Sequence, residues 1–539
     1  MRLEQLLEQI DYECVQGTVD TDVRNLINDS RKVEEGSLFF CIKGAVTDGH
    51  KYVPDVVAKG VKVLVAEDPV EAPEDVTVIR VRDSRYAMAL MSAAYFGYPA
   101  NEMRIIGVTG TKGKTTTTYM VKSILELAGY KVGLIGTIEA IIGDETIPAH
   151  NTTPESYTIQ EYFRRMADAG CQVVVMEVSS QGLMLGRTAG IPFEIGIFTN
   201  IEPDHIGPAE HKSFEDYLEC KSRLFRQCKY GILNADDPHL EAILRGHTCE
   251  VETFGLSERA GVRAENMQLV SRPGYLGIAY TVSWKNKNAC ETEPEDDRLF
   301  DGENASEAEK QQAAGVEKQT GNGDASDETR FDVEIDIPGK FSVYNSLTAI
   351  AICRHFKVGP EEICRALKGA KVKGRVELIK VSDEFTLMID YAHNAMALES
   401  LLETLREYHP HRLICLFGCG GNRSKLRRYE MGEVSGRLAD LTIITSDNPR
   451  FEEPEAIIAD IITGMEKTDG SYVKITDRKE AIAWAIHHGK PGDIIVLAGK
   501  GHEDYQEIRG VQYPMDERVL IREILEEDAR DRMHSFYNN

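Results

Sequence analysis

Short continuous apolar runs alternate with stretches of helical apolar spacing along most of this chain. The runs at 38–42, 61–66, 76–81, 105–108, 132–135, 173–176 and 195–200 are too unbroken for half-exposed strands, and they read as strands buried on both faces. Helical spacing is found at 52–59, at 119–127, up to Ala169 ahead of the 173–176 run, and at 214–225. After a helix at 341–353, strands at 385–389, 413–417, 442–445 and 494–497 alternate with helices at 398–407, 429–438 and 457–465, the pattern of a doubly wound sheet. The opening 1–10 also has helical spacing, with acidic residues throughout.

Two breaks divide the pattern. Tyr98-Pro99 reads as a hinge and Pro338-Gly339 as a second, so units of 1–98, 99–337 and 338–539 are expected. Residues 285–330 differ in kind, being rich in Glu, Asp, Gly, Ser, Ala and Gln and poor in large apolar residues. They read as a disordered acidic insertion in a loop between strands, with recruitment of a partner as the alternative.

The strand at 105–108 leads into Gly107-Val108-Thr109-Gly110-Thr111-Lys112-Gly113-Lys114-Thr115-Thr116-Thr117. Glycines here allow a tight turn whose N–H groups face a phosphate chain, and the following helix aims its N-terminus at the same anion. Five residues separate Gly107 from Gly113, one more than the usual P-loop spacing. Lys114 would reach the β- and γ-phosphates and the Thr115 hydroxyl would sit on Mg²⁺, so the reading is a nucleoside triphosphate site. Glu177 closes the 173–176 strand, where an α/β sheet places a metal-binding acid, although a solvated strand-end glutamate has the same signature. Polar loops also follow the later strands: Asp390 to His393, Gly418 to Arg423, Asp447 to Arg450, and Gly499 to Glu503. Ligands bind at that edge of such a sheet.

Composition narrows the partners. Of 539 residues, 42% are apolar and 28% charged, and 62 Lys plus Arg against 88 Asp plus Glu give a net charge of −26. A duplex nucleic-acid binder carries a basic face, so none is expected. No apolar run approaches the ~20 residues that span a bilayer. The N-terminus has no signal-peptide pattern. Eleven cysteines without a Cys-x-x-Cys pair read as reduced thiols in the cytoplasm.

Thr109 to Thr115, Asn151-Thr152-Thr153-Pro154, Glu177-Val178-Ser179-Ser180, Asp390-Tyr391-Ala392-His393, Asp447-Asn448-Pro449-Arg450 and Gly499 to Glu503 occur in that order. Together they resemble the Mur ligases of bacterial cell-wall synthesis, over essentially the whole chain apart from the acidic insertion. The resemblance implies an α/β fold of three domains: a central P-loop ATPase-like parallel sheet between an N-terminal UDP-binding domain and a C-terminal Rossmann-like domain. It implies an ATP-dependent ligase that adds meso-diaminopimelate to the D-Glu carboxylate of UDP-N-acetylmuramoyl-L-Ala-D-Glu through an acyl phosphate, for peptidoglycan. A relative taking L-lysine or another acceptor is the alternative. A monomer is expected.

Residue by residue, the resemblance implies that Gly110, Thr111, Lys112, Gly113, Lys114, Thr115 and Thr116 hold ATP. Asn345, Arg375 and Asp390 would meet the nucleotide from the far side. Glu177 and His205 would bind Mg²⁺ with Thr115. Periodicity alone puts Lys221 on a helix surface; the resemblance makes it the lysine that becomes N6-carboxylysine, a carbamate able to support a second Mg²⁺. Ser30 and the loop to His50 would hold the uridine diphosphate. Asn151, Thr152, Thr153, Ser179 and Arg187 would hold the muramoyl-dipeptide. Arg450 would grip the distal carboxylate of diaminopimelate, which L-lysine lacks, with Arg423, Asp447, Asn448, Gly499, Glu503 and His393 completing the pocket. Three stretches depart from the family's usual pattern: Ile206-Gly207 after His205, Leu185-Gly186 before Arg187, and Asn394-Ala395-Met396 after His393.

Overall fold

Leu38 and Phe40 of the Ser37–Phe40 strand pack beneath the Ser84–Tyr95 helix, while Phe39 turns to the opposite face against Val53–Ala58. Burial on both faces is why that run is continuously apolar, and the same reason holds through the chain. The computed structural model describes residues 1–44, 47–207, 210–272, 274–285 and 328–537, without side chains at 533–537. Three large sheets follow one another, each made mainly of parallel strands in its interior.

The first sheet runs Tyr12–Gln16, Thr77–Val81, Val63–Ala66, Ser37–Phe40, Asn25–Ile27, parallel except for its first pair. The expected N-terminal helix shrinks to Leu3–Leu6. Leu3 and Glu4 instead donate their N–H groups to the Thr21 and Val19 carbonyls, which ties the chain end to a neighbouring segment.

The second sheet has eleven strands. Its parallel interior runs Glu250–Gly255, Cys228–Asn234, Phe193–Phe198, Arg104–Thr109, Val173–Glu177, Val132–Ile135. Arg104–Thr109 lies between Val173–Glu177 and Phe193–Phe198, so Gly110, Glu177 and Thr199 emerge at one edge. An antiparallel hairpin and an antiparallel three-stranded ladder, the latter joined to Glu250–Gly255 by a short parallel pairing, flank this interior. The hairpin Glu139–Ile142 and Glu145–Pro148 sits on one side, and Val262–Arg272, Tyr275–Lys285 and Glu328–Ile335 on the other. The expected insertion is shorter than 285–330, because Lys285 pairs with Glu328 inside a ladder; 286–327 lies outside the described residues.

Behind the sheet, the helix Lys114–Leu127 buries Met120, Val121, Ile124 and Leu125. It begins five positions before the expected Tyr119, at the end of the glycine turn. Lys340–Arg354 packs along it, and Pro360–Lys368 beside it. One core joins Val343 through Val372 to Ile106 and Val108 of the central strand. The central unit therefore continues past the expected boundary at 337, since those helices bury their apolar faces on its sheet and not on the next one.

The third sheet runs Glu377–Ile379, Thr386–Asp390, Ile494–Ala498, Leu413–Phe417, Leu441–Ile444, Tyr472–Lys474, parallel except for its first pair. Ala395–Arg406, Lys425–Leu438 and Pro454–Met465 cover one face; Arg478–His487 and Glu517–Tyr537 cover the other. Helices on both faces of a parallel sheet make it doubly wound, as its alternation predicts. Among the described residues, no helix is long and apolar enough to cross a membrane.

Candidate active site

The glycine turn is clamped by the neighbouring strand's end. Asn200 Oδ1 accepts the Lys112 N–H at 2.9 Å and its Nδ2 donates to the Lys112 carbonyl at 3.0 Å. Thr199 Oγ1 donates to the same carbonyl at 2.8 Å. A Cβ on Gly110 would lie 1.9 Å from Thr199 Oγ1, and one on Gly113, at φ +85°, 2.3 Å from Asn345 Oδ1. Both glycines are thus required by close approach. The helix Lys114–Leu127 starts at this turn and points its free N–H groups into the cleft.

Two lysines converge on one carbonyl: Lys114 Nζ donates to Gly110 O at 2.8 Å and Lys221 Nζ at 2.9 Å. Lys221 is 1% exposed and lies over the Tyr217 ring at 4.6 Å. Burial first, then the Lys114 charge, lowers the Lys221 pKa well below the usual lysine range. Burial also lowers that of Lys114, against the pull of Glu177. Tyr217 is held at 3.0 Å by Thr111 Oγ1, and burial pushes its phenol up to about 12, so it stays protonated.

Glu177, 0% exposed, is aimed by Thr137, whose N–H and hydroxyl each donate to it at 2.9 Å. Thr137 Oγ1 also meets Thr152 Oγ1 at 3.1 Å. Thr153 Oγ1 donates to Glu177 O and accepts the Ser179 N–H, both at 2.9 Å, while Ser179 caps the helix Ser180–Met184. Arg187 bridges Thr153 O at 2.9 Å and Glu155 at 2.6 Å. His205 stands at the mouth with a half-exposed side chain and a left-handed φ of +54°. Its Nδ1 meets Glu210 Oε1 at 3.1 Å and its Nε2 lies 3.8 Å from Asp204 Oδ2.

Across the cleft, a cavity of 240 Å³ is lined by Lys112, Gly113, Thr116, Asn345, Arg375 and Asp390, among others. Asp390 accepts the Val376 and Ala392 N–H groups at 2.8 Å; burial raises its pKa against the Arg375 charge. Arg375 lies over Tyr391 at 4.8 Å, and its buried Nε has no partner among the described residues.

The third sheet's edge loops bring a second polar cluster together. Arg450, at φ +51°, donates Nε–H to Glu507 at 3.0 Å and Nη1–H to Gly421 O at 2.9 Å, which leaves Nη2 without a partner among the described residues. Lys500, 0% exposed, donates to Asn448 Oδ1 at 3.0 Å, to Glu503 Oε2 at 2.9 Å and to the Tyr505 carbonyl. Asn448 Nδ2 donates to the same Glu503 oxygen at 2.9 Å, and Glu503 Oε1 has no partner among the described residues. Arg428, almost fully buried between Glu452 and Asp460, steadies the 420–422 turn through Glu452.

Comparison with known sequences covers all three units. Residues 22–96 match "Mur ligase family, catalytic domain", 108–293 "Mur ligase middle domain" and 374–501 "Mur ligase, glutamate ligase domain". A UDP-N-acetylmuramoyl-L-alanyl-D-glutamate--2,6-diaminopimelate ligase of Clostridium acetobutylicum is 40% identical over 98% of this chain and 100% of its own. The chain belongs to the Mur ligase family.

A relative with the same enzyme name from Clostridium perfringens is 39% identical over 98% of this chain and 100% of its own. A solved structure under that name is 26% identical, with a TM-score of 0.68 over 98% of this ligase and 99% of the other chain. A ligase of Thermotoga maritima solved with ADP shares the fold at 17% identity and TM-score 0.53, covering 95% and 99%.

Not every anticipated residue of the ligase faces a ligand space. Both His50 nitrogens are engaged, Nδ1 with Asp48 at 2.6 Å and Nε2 by the Glu67 and Asp68 N–H groups, so it braces its loop. Ser30 begins a short turn beside a 350 Å³ cavity lined by Asn25 to Asp29, Lys32, Glu155 and Tyr157. Asn151 and Arg423 are exposed. Asp447 Oδ1 is held by the Asn448 N–H at 2.6 Å; Gly499, at φ +104°, would bring a Cβ within 3.3 Å of its Oδ2. His393 Nδ1 meets the Tyr391 carbonyl at 2.9 Å. The unforeseen contributors are Thr137, Thr199, Asn200, Tyr217, Lys500 and Glu507. Lys500 lay within a recognised motif; the others carry no pattern of their own.

Proposed function

We propose that this ligase joins meso-diaminopimelate to the D-Glu carboxylate of UDP-N-acetylmuramoyl-L-Ala-D-Glu. The γ-phosphoryl group of ATP passes to the carboxylate, leaving ADP and an acyl phosphate. The amine then attacks the acyl carbon, phosphate departs, and an amide remains. Lys114 and the helix N-terminus offset charge on the transferring group. Thr115, Glu177, His205 and a Lys221 carbamate would hold Mg²⁺, which supplies further charge neutralisation. The donor set suits a hard cation: a carboxylate, a hydroxyl and an imidazole, with a carbamate on the buried Lys221, whose pKa burial lowers, favouring the neutral form that reacts with CO₂. Asn345, Arg375 and Asp390 are read as nucleotide contacts, and the 350 Å³ cavity as the uridine diphosphate site.

One observation carries the choice of amine. Arg450 Nη2 and Glu503 Oε1 belong to one hydrogen-bonded cluster at the third sheet's edge, carry opposite charge, and have no partner among the described residues. The distal carbon of diaminopimelate bears a carboxylate and an ammonium that complement them; L-lysine offers the ammonium alone. The names of the relatives above support the same choice.

Phosphate release with ATP, Mg²⁺ and the UDP-linked dipeptide, comparing diaminopimelate, L-lysine and no amine, tests the reading. Release requiring diaminopimelate, with the matching product mass, is expected. Release with L-lysine alone would overturn it. Arg450→Ala should raise the KM for diaminopimelate by about 30- to 100-fold, the loss of a charge-assisted contact.

A further inference from the structure

We propose that Lys500 is a positioning residue for amine selection, holding Glu503 and Asn448 in the one arrangement that accepts a distal ammonium beside a carboxylate. The inference rests on the diaminopimelate reading above. Lysine is among the residues least often found fully buried, and taking its charge out of water requires compensation. Here the ammonium is 0% exposed and its three hydrogens have three acceptors: Asn448 Oδ1, Glu503 Oε2 and the Tyr505 carbonyl. Asp447 Oδ1 lies 4.0 Å away.

The consequence for Glu503 is geometric. Lys500 and Asn448 Nδ2 both donate to Oε2, so the carboxylate cannot rotate without breaking two bonds, and Oε1 is the oxygen with no partner among the described residues. Asn448 is fixed in turn. Its Oδ1 accepts from Lys500 and from the Glu507 N–H at 2.9 Å. Glu507 then receives Arg450 through both its side chain and its backbone carbonyl, at 3.0 Å each. Lys500 therefore sets the spacing between the anionic and cationic ends of the cluster through two chains of hydrogen bonds, while making no contact with the cleft itself. Asn448, expected to touch substrate, serves here as the cross-brace.

Lys500→Met tests this in the full-length ligase. The KM for diaminopimelate should rise by roughly 30-fold, with kcat and the KM values for ATP and the UDP-linked dipeptide within about threefold of the parent. In Glu503→Gln and the double variant, the Lys500 change should add little to the KM already raised by Glu503→Gln, because both act on one contact. If Lys500→Met does not keep the parent melting temperature, Lys500→Gln removes the charge while retaining a donor and carries the same comparison. Equal losses toward all three substrates, or fully additive effects with Glu503→Gln, would overturn the proposal. The parent enzyme's amine preference, measured in parallel, reports separately on the diaminopimelate reading.

Discussion

Lys114 and Lys221 share the Gly110 carbonyl, so their charged ends lie within about 6 Å, where two full charges repel by about 3 kcal/mol at an effective dielectric near 20. Burial adds to this at Lys221, and the neutral amine is the form that persists as pH falls below the usual lysine range. A neutral buried amine is the nucleophile that CO₂ requires. Lys221→Ala should lower kcat by about a thousandfold or more, with activity partly restored by a small added carboxylate. A ¹³C-carbamate signal from labelled bicarbonate should be present in the parent and absent from the variant. His502 behaves in the opposite sense to a salt-bridged histidine. Burial, then the charges of Arg375, Lys373 and Arg518, lowers its pKa to about 4. The unfolded chain therefore binds the extra proton, and this group's contribution is full above the ordinary value of 6.5 and is lost as pH falls from there to about 4. Melting temperatures over that range should fall less in His502→Phe, which keeps the ring contact with Tyr391, than in the parent.

The loops act through the elements that seat them. Gly374, at φ +68°, lies under the Gly499–Glu503 loop, where a Cβ would fall 2.1 Å from the Gly501 carbonyl carbon and the His502 nitrogen. Arg518 ties the same region together, with a bidentate grip on Glu377 and a 3.0 Å bond to Gly501 O. The segment that carries Arg375 to the nucleotide cavity is thus wedged against the segment that carries Lys500 and Glu503 to the third sheet's polar cluster. Gly374→Ala combines a strained φ with an overlap onto backbone, and should raise the KM for both ATP and the amine; a change confined to one would show the contact to be passive. The P-loop helix shows why element boundaries were harder to read than elements. Thr115 to Thr118 are β-branched and disfavour a helix, so periodicity begins at Tyr119. The helix nevertheless starts at Lys114, because Met120, Val121, Ile124 and Leu125 bury against the sheet and the glycine turn fixes the first residue. The helix Glu517–Tyr537 escaped notice for a related reason: it is charged around most of its surface and anchors mainly through Ile521 and Ile524.

At the scale of the molecule, Lys285 and Glu328 face each other in an antiparallel ladder, so the ends of the intervening segment are already together. Replacing 286–327 by a short Asn-Gly turn should leave the melting temperature and the kcat for diaminopimelate within about twofold. A large loss of turnover with unchanged melting would assign the segment a role in catalysis. The parallel sheets and the strand ends at which the polar loops cluster were legible in the chain, because unbroken apolar runs, glycine turns and strand-end polar clusters are local signals. The same local signals made Lys114 and Glu177 candidates, whereas the roles expected of Lys221 and Arg450 came from the family resemblance. The end of the central unit was not legible: Lys340–Arg354 is buried on most sides, Ser342, Asn345, Ser346 and Thr348 included, and only its packing shows which sheet it covers. Nor were Thr137, Asn200, Tyr217, Lys500 and Glu507, whose importance comes from partners as far as 106 positions away, as Tyr217 is from Thr111. Sequence determined which residues carry charge and which strands carry them; tertiary structure decided which charges share an acceptor, because hydrogen bonds between distant segments leave no period in the chain.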